Sequence, residues 1–471
     1  MQTVLDLDTI AAISTPPGRG GIGIVRLSGP AAVTIAGQLV RLTQPLAHAR
    51  ARFVQVLDPR AEDPSAPALD EAVITTFLAP HSYTGDDIVE IASHGAPVVL
   101  DAILSAALAG GARLAEPGEF TQRAFLAGRL DLTQAEAVHD LIAAHTLEQA
   151  RAAAQQLGGS LSRALAPAKE DLLHLIALLE AGMDFASGEL DDVDVVPPGQ
   201  IAGAIAGVLD RLQGLARSFR AGSLLRSGMS LALVGRPNAG KSSLFNRLLE
   251  RPRAIVTPVA GTTRDTVEEL WSLDGIPVRL IDTAGLRLGD EAPADEAERQ
   301  GIERSRMALA DADLVLLIHD ATSPVSDDEE ELLRMLDGRP HLVVRNKMDL
   351  MGFGGSVQSD SALTAGPRTP LEISALTGEG LDDLRRAIRR AVDAGEGPLA
   401  SAALNNNRQQ GAVLDAIASL EAASVANHAA LPHEVLLVDL HQALRSLDTL
   451  TGATTADDIL ARIFSTFCIG K

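Results

Sequence analysis

The stretch SLALVGRPNAGKSSLFNRLL, residues 230–249, constrains the fold of this chain more than any other. A β-like apolar run enters a loop that places Gly235 and Gly240 in the G-x-x-x-x-G-K-S spacing, and Lys241 and Ser242 open a helical repeat. Loop amides from Asn238, Ala239 and Gly240 can surround phosphates, Lys241 can reach the β- and γ-oxygens, and Ser242, followed by Ser243, offers a hydroxyl to Mg²⁺. A strand ending in such a loop and followed by a helix belongs to an α/β fold with a mainly parallel sheet.

Three later elements sharpen the ligand. After the strand-like PVRLI, Asp282, Thr283, Ala284 and Gly285 supply a carboxylate for the metal's water shell and a backbone N–H for a γ-phosphate. After HLVVR come Asn346, Lys347, Met348 and Asp349, and a carboxylate there can accept from N1–H and the N2 amino group of guanine, donors that adenine does not present. Then EISALTGEG provides Ser374, Ala375 and Leu376 as a loop beside the base. The nucleotide is a guanine nucleotide.

Between the first two elements, AIVTPVAGTTRDT carries Thr257, Pro258, Val259, Ala260, Gly261, Thr262 and Thr263. Thr263 is read as the second hydroxyl on Mg²⁺. Hydroxyls and carbonyls of this loop also suit a monovalent cation, to which Asn238 can add its amide oxygen. Ras-like GTPases place a glutamine after the D-x-x-G element, whereas here the position is Leu286. An apolar side chain cannot orient water, so hydrolysis is either negligible or served by another polar residue.

Length and patterning divide the chain. At 471 residues it exceeds one ordinary core. Short β-rich runs alternate with Ala/Leu-rich helical stretches from Thr9 to about Leu126, giving an α+β domain over 1–128. Long helices are expected over 129–227, where a Gly-Ser stretch near RAGSLLRSG marks the boundary, then the nucleotide domain over 228–396, then helices again over 397–471. A tail that short needs an existing core, so the middle reads as an insertion into a discontinuous helical domain. The fold class is multidomain α/β.

Composition excludes other classes. With 40 Lys+Arg against 62 Asp+Glu, a net charge of −22 argues against nucleic-acid binding over the whole surface, so any RNA contact is local or shared. One cysteine rules out an internal disulfide framework and a cysteine-based zinc site. With no basic leader and no apolar run of about 18 residues, the expectation is a cytoplasmic protein with no membrane partner.

Several weaker features remain. GRGGIG, from Gly18 to Gly23, spells G-x-G-x-x-G, but STPP precedes it and β-branched residues follow, so the Rossmann reading fails. Glu90 with His94, and Arg123 with Arg129, read as surface charges. His139, His145 and His174 lack a metal-ligand companion pattern. Cys468, the single cysteine, is equally compatible with an idle small hydrophobe and with a reactive thiol beside Lys471.

The stretches TPPGRGGIGIVRLSG, SYTGDDIVEIASHG, EPGEFTQRAFLAGRLDLTQAEAVHDLI, GRPNAGKSSLFNRLL, VAGTTRD, IDTAGL, ERQGIERS, RNKMD and FCIGK together resemble the MnmE, or TrmE, family of tRNA-modifying GTPases. The resemblance implies an N-terminal domain that dimerises and binds 5,10-methylene- or 5-formyl-tetrahydrofolate, with contacts on Arg26, Glu90, Arg129 and Lys471. It implies K⁺ on Asn238, Thr257, Val259 and Thr262, and a catalytic Glu298 in place of the missing glutamine. It also implies a homodimer acting on tRNA with the flavoprotein MnmG, which carries the FAD. The product is a 5-aminomethyl or 5-carboxymethylaminomethyl group on the wobble uridine, and Cys468 is required for it. In that case the tail docks beside the folate. The competing reading from the central motifs is a regulatory Era-type GTPase that binds ribosomes and modifies nothing.

Overall fold

The computed structural model describes residues 8–60, 66–186, 196–249, 268–282, 312–351, 369–392, 404–453, 460 and 463–470. The chain divides into two compact units, Met1–His139 with Leu157–Ser162 and Asp448–Lys471, and Asp140–Gln156 with Arg163–Leu447.

In the first unit, β1 (Ile10–Ile13), β2 (Gly20–Ser28), β3 (Val40–Arg41), β4 (Arg50–Val56), β5 (Asp70–Phe77), β6 (Ile88–Gly95) and β7 (Arg113–Leu114) form a seven-stranded sheet in the order β3-β4-β5-β6-β2-β1-β7. Neighbours run antiparallel except for the parallel pair β1 and β7. In β5, Ala72, Ile74 and Thr76 are buried while Glu71 and Val73 are exposed, the period-2 pattern of a sheet covered on one face. Helices α1 (Ala32–Gln38) and α2 (Pro97–Ala109) provide the cover, packing Ile35, Leu100 and Ile103 against Val25, Leu27, Ile74 and Ile91. Gly20 to Gly23 begin an antiparallel strand instead of joining the end of a strand to the start of a helix, so the glycine run is no dinucleotide site.

Beyond the sheet, α3 (Glu119–Leu126) and α4 (Leu132–Ile142) follow. Arg123, read from the sequence as a surface charge, is 5% exposed. It donates to Asp8 at 2.6 Å and to Glu119 at 2.9 Å, and Arg113 donates to the same two carboxylates at 2.7 and 2.6 Å. The helical turn between Glu119 and Arg123 aims both inward, where charge needs a partner. The chain's far end returns to this unit, with Leu460, Phe464 and Phe467 packing on Leu132 and Ala135.

The helical stretch over 132–157 is two helices rather than one, α4 and α5 (Leu147–Leu157). Thr146 Oγ1 accepts from Gln149 N while Gln149 Oε1 accepts from Thr146 N, a reciprocal cap that starts a new helix. Next come α6 (Ser160–Ala186) and α7 (Pro198–Ser227). Helix α7 runs through Gly222 and ends at Ser227, within the stretch RAGSLLRSG, where Gly228 follows with φ of 74°.

Strands β8 (Met229–Val234), β9 (Glu268–Leu273), β10 (Ile276–Asp282), β11 (Leu314–Asp320), β12 (His341–Asn346) and β13 (Leu371–Glu372) make a second sheet, in the order β13-β12-β11-β8-β10-β9. It is parallel except for the β9–β10 hairpin. Every residue of β8 is buried, as expected of a strand covered on both faces. On one face α8 (Lys241–Leu249) and α10 (Leu381–Ala391) contribute Leu244, Phe245, Leu384 and Ile388. On the other, α9 (Asp327–Met335) brings Leu332 against Val315 and Leu317. After the sheet, α11 (Asn407–His428) and α12 (His433–Thr451) follow. Helix α11 packs on α7, with Asn427 Nδ2 donating to Pro198 O at 3.0 Å. The nucleotide-binding sheet is thus inserted between two helices that pack on each other.

Burial pushes the Glu119 carboxyl up, but hydrogen bonds from Arg113, the Glu116 N–H and Arg123 outweigh it and hold it below its usual value. A lowered folded value gives stabilisation that is full above the unfolded range, about 4.3, and lost as pH falls through the folded one. Replacing Glu119 with Ala leaves Arg123 buried without that partner and should cost about 3 kcal/mol in chemical denaturation near neutral pH. The penalty should shrink as denaturation is repeated at increasingly acid pH.

Candidate functional site

The inserted sheet reverses its strand order at β8: the chain passes to β10 on one side and then to β11 on the other. Ligands of open α/β sheets bind outside the carboxyl ends of strands at such a switch point. There the loop 235–240 leaves β8 and α8 begins at Lys241, so the helix N-terminus and the loop amides converge where a phosphate is favoured. The Lys241 ammonium donates to Gly235 O at 2.8 Å and Arg236 O at 2.9 Å, which lays the cation over its own loop. Ser242 and Ser243 are exposed on the first helical turn, and Asn238 is exposed with φ at 64°, a left-handed conformation that asparagine tolerates.

At the end of β12, Asn346 is 2% exposed. Its Nδ2 donates to Ala239 O at 2.9 Å, and its Oδ1 accepts from Ala375 N at 2.9 Å. One carboxamide therefore ties the phosphate loop to the loop 374–376. Gly240 makes the approach possible, since a Cβ there would lie 2.1 Å from Asn346 Nδ2. Lys347 adopts φ 67° and pairs with Asp320 at 2.6 Å. Burial raises the Asp320 carboxyl, yet the bond from Lys347 and those from Thr322 bring it below its usual value, so it stands as a carboxylate at neutral pH. Met348 is buried and pins the following turn, while Asp349 is exposed and accepts from Ser374 Oγ at 2.6 Å. The carboxylate is thus oriented by the loop beside it and open to a base. Leu376 is 74% exposed at the tip of that loop.

Through the Asn346 carboxamide and the Ser374–Asp349 bond the structure brings together three loops, which carry Asn238, Ala239, Gly240, Lys241, Ser242 and Ser243, then Asn346, Lys347, Met348 and Asp349, then Ser374, Ala375 and Leu376. The backbone of Asp282 ends β10, opposite Leu233 of β8. Thr257, Pro258, Val259, Ala260, Gly261, Thr262, Thr263, Thr283, Ala284, Gly285, Leu286, Glu298 and Lys471 lie outside the described residues. Sequence reasoning missed Asp320, signalled by its place at the end of the apolar run LVLLIHD. It also missed Arg247, for which α8 carries no local signal.

A second cluster sits in the first unit. Arg26 and Glu90 face each other across β2 and β6, and Arg26 NH2 lies 2.8 Å from Glu90 Oε1. The guanidinium also lies 5.5 Å from the centre of the Phe120 ring. Glu90 is therefore a half-buried, paired carboxylate rather than a plain surface charge. His94 is exposed, 2.7 Å from Asp70, and Arg129 is exposed and donates to Pro80 O at 2.9 Å, with no bond to Arg26 or Glu90.

The tail reaches the same place. Ile469 bridges Pro117, and Gly118 N donates to Cys468 O at 3.4 Å. Gly470 O accepts from Ser14 Oγ at 3.1 Å and from Arg26 NH1 at 3.4 Å. Gly470 has φ 95°, and a Cβ on it would meet Ile13 O at 2.6 Å, so only glycine fits this close approach. The Cys468 thiol is free and exposed on a docked segment. His139 stacks 5.3 Å from Phe467, a packing role rather than a ligand role. Among the described residues no group of His, Cys, Asp and Glu is arranged to hold a metal ion, and no helix is long and apolar enough to cross a membrane.

A family model for the MnmE helical domain matches residues 132–468, and one for the GTP-binding protein TrmE N-terminus matches residues 9–129. The chain is 52% identical over 469 residues to the tRNA modification GTPase MnmE of Koribacter versatilis, covering 98% of this chain and 99% of that one. It is 42% identical over 477 residues to the protein of the same name from Moorella thermoacetica, covering 98% and 99%. Among solved structures, a variant of Era from Aquifex aeolicus bound to GDP and aluminium fluoride shares 28% identity at a TM-score of 0.30, covering 41% of this chain and 66% of that one.

Substituting Asn346 with Ala removes both bonds and leaves Ala239 O and Ala375 N without this partner. GDP affinity, read by titration of a fluorescent analogue, should fall by about 30-fold, roughly 2 kcal/mol.

Proposed function

The chain belongs to the MnmE family of tRNA modification GTPases, and from that membership we propose that its GTPase cycle serves a folate-dependent modification of the wobble uridine. It hydrolyses GTP in the course of tRNA modification. In the proposed reaction a one-carbon unit from 5,10-methylene- or 5-formyl-tetrahydrofolate becomes part of a 5-aminomethyl or 5-carboxymethylaminomethyl group. MnmG is the partner and supplies the FAD, the chain acts as a homodimer, and the compartment is the cytoplasm.

Lys241 and the amides of 238–240 hold the phosphates of GTP, and Asp349 accepts from the guanine edge. When bound, Mg²⁺ neutralises charge between the β- and γ-phosphates. The exposed Ser242 hydroxyl fits a hard cation, and Thr263 is its proposed companion. K⁺ is proposed on Asn238, Thr257, Val259 and Thr262. The Asn238 amide oxygen, exposed and unengaged by any described residue, is a suitable donor. Glu298 is the proposed group that orients water.

The observation that supports the folate reading is the tail held by Ser14 and Arg26 through Gly470 O, two residues beyond the Cys468 thiol. Arg26 and Glu90 offer a cation and a carboxylate on adjacent strands, which suit a folate's glutamate tail and the donor edge of its pterin. Arg129 and Lys471 are proposed with them. The proposed organisation keeps domain limits at 1–128, 129–227, 228–396 and 397–471. An Era-type regulator without modification activity is not favoured, because the family models match both flanks of the nucleotide-binding sheet.

Nucleoside mass spectrometry of tRNA from cells lacking the protein should show loss of aminomethyl-type wobble uridines; intact modification with no compensating enzyme refutes the reading. Exchanging Na⁺ for K⁺ in a GTPase assay should raise kcat by at least about tenfold, near 1.4 kcal/mol of barrier. Equal rates in the two salts remove the K⁺ assignment and leave the rest standing. Binding of 5-formyl-tetrahydrofolate should weaken by about tenfold in Glu90→Gln, the size of one charged hydrogen bond. Unchanged retention would remove Glu90 from the site.

A further inference from the structure

We propose that Arg247 is a positioning residue that sets the affinity for guanine nucleotides by fastening the base-side loop to the phosphate-binding helix. Arg247 stands in the last turn of α8, the helix that Lys241 begins. Its Nε donates to Ala375 O at 3.0 Å, and its NH2 donates to Leu376 O. Both carbonyls belong to the loop that carries Ser374, whose hydroxyl orients Asp349, and Ala375, whose N–H is held by Asn346.

Three consecutive residues of one loop thus have separate tethers. Ser374 is bound to the carboxylate that reads the base, Ala375 to the end of β12 as well as to Arg247, and Leu376 to Arg247. Asn346 fixes one point of the loop. Backbone bonds of Ile373 to Arg345 and Met348 hold the start of the loop to β12, which leaves its Ala375–Leu376 end to side-chain tethers. The Arg247 fork adds two more bonds from an element anchored in the core through Leu244, Phe245 and Leu248. The residue type follows from this task. A planar guanidinium donates along fixed directions to two neighbouring carbonyls, whereas an ammonium acts as a point charge. A cation in the last turn of α8 also faces the negative end of the helix dipole.

Arg247 donates to two carbonyls on the base side of the site, while Lys241 donates to two carbonyls of the phosphate loop. Loss of Arg247 should therefore loosen recognition of the base and spare recognition of phosphates. That separation distinguishes positioning of the loop from general damage to α8, because damage to the helix would weaken both.

The test uses the full-length protein with Arg247→Ala and Arg247→Lys. Binding of GDP is compared with competition by inorganic tripolyphosphate, which presents phosphates with no base. In Arg247→Ala the GDP dissociation constant should rise by about tenfold, with the tripolyphosphate constant within about twofold. KM for GTP should rise in parallel, with kcat at saturation within about threefold of the parent. Arg247→Lys should fall between parent and Ala. Unchanged GDP affinity in Arg247→Ala overturns the proposal. So does a parallel loss of GDP and tripolyphosphate. Should the Ala variant not fold, the same two constants measured on Arg247→Lys decide: a selective GDP loss supports the proposal, and an equal loss or none overturns it.

Discussion

The buried carboxamide of Asn346 is the constraint on which the nucleotide site depends. It stands at the end of β12, two strands from β8, and spans the gap by donating to Ala239 and accepting from Ala375. A shorter side chain would not reach, and a carboxylate would have no proton for Ala239. The absence of a side chain on Gly240 lets the amide lie against the phosphate loop. Phosphate and base recognition, carried on loops more than a hundred residues apart in sequence, are thereby held in one geometry.

The same second unit shows how an inserted sheet is fastened to its helices. The turn between β9 and β10 carries Gly275, whose carbonyl accepts from the buried Thr146 hydroxyl at 2.7 Å. Gln149, the other half of the cap that begins α5, donates to Arg226 O at 2.9 Å, and Arg226 Nε donates to Asp140 at 2.8 Å. Strand β10 begins beside this turn and ends at Asp282, on the nucleotide side. One hairpin therefore runs from the phosphate end of the sheet to a polar corner of the helices. The residues that break α4 from α5 are the ones that receive it.

In the first unit the two ends of the chain meet around buried charge and apolar rings. Asp8 joins Arg113, Glu119 and Arg123 near the start of α3, and the terminal segment packs Phe464 and Phe467 on α4 before Gly470 reaches Ser14 and Arg26. A terminus usually frays unless it is tied down. Here backbone bonds, a glycine in a left-handed conformation and two aromatic anchors tie it.

Much of this was legible in the amino-acid order, because it depends on neighbours. The apolar runs of β8, β10 and β12, the alternation in β5, the glycine loop before α8 and the Asn346-Lys347-x-Asp349 element after β12 follow from periods and spacings of a few residues. The Thr146-x-x-Gln149 cap was equally local, though helical periodicity on both sides hid the break. Tertiary structure alone decided the rest. Arg123 became a buried partner because Asp8, 115 residues away, comes to it; Arg247 became a clamp because Ala375, 128 residues on, lies over its helix; Gly470 met Arg26 across 444 residues. A charge carries the same composition and local pattern on a surface as in a pair. Only the folded chain supplies the distant group whose attraction outweighs the cost of leaving water.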